Sequence, residues 1–204
     1  PPAPMSPNPA ALAEAVTLLR GATTPLILSG RVSRSLSDWA RRVALAEHLG
    51  ARVHSDFRAG ASFPTDHALH VGAPSTFLDA AAAQAIREAD VILALDWIDL
   101  AGTLRQAGAV SARIINASID QQLHNGFGME HFGLPPVDVP LACAPAEAVA
   151  AIADALGVGP GIPPATLPAR AAIAPVAADT PLDVTTLAAA MGEAPAAPRP
   201  VDRA

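Results

Sequence analysis

The sequence predicts an α/β fold of three layers, with a mainly parallel sheet of about six strands covered by helices on both faces. Short apolar runs alternate with helical patterns along most of the chain, which is the order that parallel strands with crossover helices require. The runs are also too continuously apolar for a sheet with one wet face. The clearest, Val91-Ile92-Leu93-Ala94-Leu95, has no polar member.

The elements follow in order. Asn8 before Pro9 reads as a helix cap with proline at the first helical position, and the apolar pattern of Leu12, Val16, Leu18 and Leu19 stops at Gly21, so residues 9–21 form a helix. Leu26-Ile27-Leu28 is a strand closed by Ser29-Gly30. The helix after it carries Trp39, Val43, Leu45, Ala46 and Leu49 and ends at Gly50. Residues 51–54 give a second strand, and the turn-rich stretch 56–67 a long surface loop, a common home for function. Leu69-His70-Val71-Gly72 is a third strand, 80–89 an alanine-rich helix and 91–95 the fourth strand. A short helix near Leu104, strands over 112–115 and 137–141, and a helix over 145–156 complete the series.

Residues 1–157 thus make one domain. From Gly157 the glycines and prolines deny the backbone a regular element, and 158–180 reads as an interdomain linker. Residues 181–204, with Leu182, Val184 and Leu187, read as the start of a truncated following domain or a disordered tail. The first residue is proline, which suggests excision from a longer polypeptide. All thirteen basic residues are arginine and tyrosine is absent, as in a GC-rich genome.

A net charge of -6 and no basic cluster argue against nucleic acid as a partner. No apolar run is long enough to span a membrane, and the N-terminus lacks the pattern of a signal peptide. A single cysteine, Cys143, excludes an internal disulfide and fits a reducing, cytoplasmic setting. His67, His70, His124 and His131 with Asp66 could be imagined as a metal site, but histidines in loops and at strand edges are usually solvated or hydrogen-bonded. Cys143 reads as a buried, idle thiol, and Arg41-Arg42 as a solvated helix face. Asp96, Asp99 and Asp120 could be catalytic carboxylates; strand-end aspartates more often cap turns and helices. Any ligand of a parallel α/β sheet lies at the carboxyl ends of its strands. Here that edge would be lined by Gly30, Arg31, Gly72, Asp96, Trp97 and Asp120, with Arg31 the natural partner of a phosphate.

Four stretches carry a resemblance. They are Pro25 to Gly30 with the later Leu45-Ala46-Glu47-His48-Leu49-Gly50-Ala51-Arg52-Val53, then Phe63-Pro64-Thr65-Asp66-His67-Ala68-Leu69-His70-Val71-Gly72, then Ala89 to Leu95, and last Ala112 to Asp120. In order and spacing they resemble the central domain of thiamine-diphosphate-dependent enzymes of the acetolactate synthase and benzoylformate decarboxylase type. The resemblance implies a Rossmann-like, DHS-like NAD/FAD-binding type of domain. It also implies a parent lyase or transferase that works as a homo-oligomer with thiamine diphosphate and Mg²⁺.

The ligands of that cofactor belong to other domains of the parent chain, and no Gly-Asp-Gly segment occurs here. Some members bind FAD or ADP in the central domain, but this chain departs from them. Arg31-Val32-Ser33 follows Gly30 in place of further glycines, and Asp96-Trp97 stands where a small residue would admit a nucleotide. Ser118-Ile119-Asp120 keeps only one carboxylate for a ribose. Two functions therefore stand open: a non-catalytic scaffold and interface domain, inactive alone, and a free-standing ADP- or FAD-binding domain. An NAD-dependent oxidoreductase would need Gly-x-Gly-x-x-Gly after the first strand, which is absent.

Overall fold

Strands as apolar as these must be covered on both faces, and the chain folds accordingly. The computed structural model describes residues 4–120 and 135–161 together with Pro181 and Leu187. Its five strands are β1 (Leu26–Ser29), β2 (Arg52–Ser55), β3 (Val91–Leu95), β4 (Arg113–Ala117) and β5 (Val139–Leu141). They form one sheet in the order β2-β1-β3-β4-β5, with every pairing parallel. The helices are α1 (Pro9–Gly21), α2 (Leu36–Leu49), α3 (Ala80–Glu88), α4 (Leu100–Ala107) and α5 (Pro145–Leu156).

The central strand β3 is buried throughout. Because side chains alternate along a strand, Val91, Leu93 and Leu95 enter one apolar layer and Ile92 and Ala94 the other. The first layer lies under α1, α2 and α5, supplied by Leu19, Leu45 and Ile152; the second lies under α3 and α4, supplied by Ile86 and Leu104. Each buried leucine or isoleucine contributes about 1.5 to 3 kcal/mol relative to exposure.

Two helix starts are capped by side chains that the sequence marks, whereas α2 and α5 begin without a side-chain cap. Asn8 Oδ1 accepts from the Ala10 and Ala11 amides at 2.9 and 3.3 Å, and Asp99 Oδ1 from the Gly102 amide at 2.9 Å. Asp79, a cap the sequence reading did not single out, accepts from Ala82 at 2.7 Å and from Ala73 at 2.8 Å. These two bonds, Ala82 first, hold its carboxyl below the usual range, together with a weaker one to Ala81.

Three expectations need correction. Among the described residues the sheet has five strands rather than six: residues 69–71 touch β2 through a single parallel bridge, Val53 to His70, because the His67 turn precedes it and Gly72, at φ 70, turns the backbone away. The 56–67 stretch is not simply a surface loop, since Asp56, Ser62 and Phe63 are buried; Phe63 fills the apolar layer beside Leu45. Arg42 is not on a solvated face either. It shares the sheet-facing stripe of α2 with Leu45 and Ala46 and is buried.

Two compact units are distinguished, residues 1–163 and 164–204. Within the first, Val158 packs on the core, and at Gly161 a Cβ would stand 2.5 Å from the Ala40 carbonyl oxygen, so the start of the expected linker lies against the domain. The rest of the 158–180 linker and the 181–204 segment lie outside the described residues, apart from Pro181 and Leu187. No helix among the described residues is long and apolar enough to cross a membrane.

Candidate functional site

The chain leaves β1 toward β2 on one side, and β3 occupies the other, so a crevice opens between the ends of β1 and β3 where the strand order reverses. Gly30 and Arg31 follow β1 there, and Asp96 and Trp97 follow β3. Their backbones are tied together: Gly30 N–H donates to the Leu95 carbonyl at 3.0 Å and Arg31 N–H to the Asp96 carbonyl at 3.1 Å. A Cβ on Gly30 would stand 2.7 Å from the Asp96 carbonyl carbon and 2.8 Å from Trp97 Cα. Glycine is needed at position 30 for close packing of two loops.

Side chains fill the crevice. Arg31 Nε stands 2.9 Å from Asp96 Oδ2 and Nη2 3.0 Å from Asp96 Oδ1, a two-pronged pair, and Nη2 also donates to Asp120 beyond β4. Asp120, foremost, and Asp96 raise the Arg31 guanidinium above its usual value, with burial opposing. Ser118 Oγ donates to Asp96 Oδ1 at 2.6 Å and accepts from the Asp120 amide at 2.9 Å. Asp96 sits in the left-handed region at φ 49, a conformation aspartate tolerates better than most residues. The cluster holds two carboxylates and one guanidinium, so its net charge is negative and disfavours a phosphate.

Trp97 turns away from the ion pairs. Its indole Nε1 donates to Thr103 Oγ1 at 2.7 Å, and its ring lies 5.7 Å from that of His54, which is buried with Nδ1 2.8 Å from the Val71 carbonyl. Gly72 keeps different company: a Cβ there would press on Ala82 and Asp79 at 2.7 and 2.8 Å, so it serves the start of α3. Of the residues placed at this edge by sequence, Gly30, Arg31, Asp96, Trp97 and Asp120 converge and Gly72 does not join them. Sequence reasoning missed Ser118 as a bridge, and His54 as the residue behind Trp97. A serine two residues before Asp120 was the available signal for the first.

The other candidates are dispersed. His67 Nε2 lies 3.2 Å from Glu47, and His70 Nε2 lies 3.3 Å from Ser55 Oγ. His124 and His131 fall outside the described residues. Among the described residues no three of His, Cys, Asp and Glu gather as a metal site would require. Cys143 is buried under α5, and burial, with Glu147 nearby, pushes its thiol up, away from reactivity. Thiamine diphosphate with Mg²⁺ needs carboxylate or amide oxygens free to face a metal beside phosphates, whereas the crevice carboxylates are both engaged by Arg31. The described residues do not fit that group.

Known proteins resemble this chain in sequence and shape. A protein of Rhizobium meliloti (strain 1021) described as a probable sulfoacetaldehyde acetyltransferase is 39% identical over 88 residues, 43% of this chain and 15% of that protein. An X-ray structure described as a thiamin diphosphate-dependent enzyme isolated from Mycobacterium smegmatis superposes with a TM-score of 0.53 at 19% identity, over 74% of this chain and 28% of that one. At that identity the likeness bears on the fold alone, and this chain spans only a fraction of either protein. The family of the thiamine pyrophosphate enzyme central domain matches residues 12–152, well over half the chain, and with the parallel α/β sheet in place the chain belongs to that family.

Proposed function

We propose that this domain is the non-catalytic central scaffold of a thiamine-diphosphate-dependent enzyme that makes or breaks carbon-carbon bonds, a decarboxylase, carboligase or acetolactate synthase-like transferase. Thiamine diphosphate and Mg²⁺ are held by other domains of the parent chain, with which this one packs in a cytoplasmic homo-oligomer. The observation that carries the reading is the filled crevice: the place where such a sheet would take a nucleotide is closed by Arg31 locked onto Asp96 and Asp120. The relative described as an acetyltransferase favours the transferase branch.

Support for an interface role comes from the same edge. Leu36 at the start of α2, Phe57 after β2, Phe77 before α3 and Ile119 after β4 are large, apolar and exposed, and all belong to the loops and helix starts at the carboxyl ends of the strands. Equilibrium dialysis of the chain against FAD and against ADP tests the reading. Retention of neither agrees with a scaffold; one FAD or ADP per chain would favour a nucleotide-binding domain instead.

A further inference from the structure

Arg42 lies apart from the crevice, on the sheet-facing stripe of α2. Only 3% of its surface is exposed, and its one hydrogen bond among the described residues runs from Nε to the Ser62 carbonyl at 3.1 Å. Both terminal nitrogens, Nη1 and Nη2, are buried without a hydrogen-bond partner, and so is the hydroxyl of Ser62. The cavity at Arg42 is walled by Ile27, Leu45, Phe63, Leu95 and Val149, with Ser29 as the other polar member. Ser29 Oγ is turned to the Ser62 carbonyl at 3.4 Å. Burial lowers the guanidinium to about 10, against the charge of Asp38, so it is still a cation at neutral pH.

A buried cation with no salt-bridged carboxylate among the described residues is a costly arrangement in a protein interior, and one hydrogen bond to a carbonyl with the charge of Asp38 does not fully offset it. Arginine cannot relieve the cost by losing its proton near neutrality. The unsatisfied donors are two N–H₂ groups in a fixed plane, together with the hydroxyl of Ser62, the residue whose carbonyl holds Nε. That is the complement of a planar oxyanion, which accepts both prongs of the fork and a third bond from the serine. The apolar walls disfavour a larger, strongly hydrated anion such as phosphate.

We propose that Arg42 and Ser62 form a receptor for one small carboxylate beneath the 56–67 segment. As it stands the space beside the guanidinium is too tight for a water molecule, so the anion enters only as the 56–67 segment shifts. Ala61, beside Gly60, is held at φ 56, a strained conformation for alanine, immediately before Ser62 and Phe63.

Thermal unfolding of the full chain in sodium formate, against sodium chloride at equal ionic strength, tests this. For the wild type, saturating formate raises the melting temperature by about 3 to 6 °C. Arg42→Met, which replaces the unpaired cation by an apolar chain of similar length, melts higher than the wild type in chloride and gains nothing from formate. Ser62→Ala keeps the formate response at about three- to tenfold weaker apparent affinity. Saturation transfer from wild-type protein to the formate proton supplies a readout that needs no variant, and acetate competes it away. Equal formate responses in wild type and Arg42→Met, no response in the wild type, or no saturation transfer would each overturn the proposal.

Discussion

Arg31 and Asp96 meet fork to fork across the seam between β1 and β3, with Nε to Oδ2 at 2.9 Å and Nη2 to Oδ1 at 3.0 Å. The carboxylate is largely buried, whereas the guanidinium is half exposed, so removing the arginine harms the pair more than solvent screening alone suggests. Arg31→Ala is expected to cost about 2 kcal/mol of stability, because Asp96 is then buried with Ser118 as its remaining side-chain donor among the bonds seen here. Urea unfolding of the two proteins measures it. Asp96→Asn combined with Asp120→Asn, by contrast, releases the guanidinium for a phosphate, and ADP affinity by equilibrium dialysis should rise at least about tenfold.

Gly30→Ala puts a Cβ 2.7 Å from the Asp96 carbonyl carbon and forces two backbone segments apart. A loss of about 1 to 3 kcal/mol is expected from such overpacking. Gly159→Ala, where nothing lies within 4 Å, is the matched control and should be close to neutral. Midpoints of chemical unfolding separate the two.

Much of this was legible in the sequence where one physical cause dominates. β3 is unmistakable because five apolar residues in a row have no other use in a parallel sheet, and the helix over 9–21 because Asn8 and Pro9 mark its start. The crevice residues gather because loops after parallel strands share an edge whatever the strand order. Their pairing was not legible: Arg31 reaches Asp96 and Asp120 only because β3 lies beside β1 and β4 beside β3. Residues 69–71 looked like a strand by composition, but a turn on one side and Gly72 on the other leave them a single bridge. Arg42 was misread by charge, although its spacing with Leu45, Ala46 and Leu49 already placed it on the inward stripe.

His70 is held below its ordinary value, chiefly by burial and further by the nearby His54 and His67. The folded state therefore prefers the neutral ring, while the unfolded chain protonates near the usual value of about 6.5. The contribution of His70 to stability is complete above that pH and is lost as pH falls through the folded value. Melting temperatures from pH 7.5 to 5 should decline more steeply for the wild type than for His70→Gln. Parallel declines would assign the acid sensitivity to other groups.

Calorimetric titration of the chain with thiamine diphosphate and Mg²⁺ asks most directly whether this domain is scaffold or cofactor site. No saturable heat is expected, since the crevice carboxylates are engaged by Arg31 and the described residues present no set of oxygens for a metal beside phosphates. A saturable isotherm with a dissociation constant in the micromolar range would contradict the scaffold role.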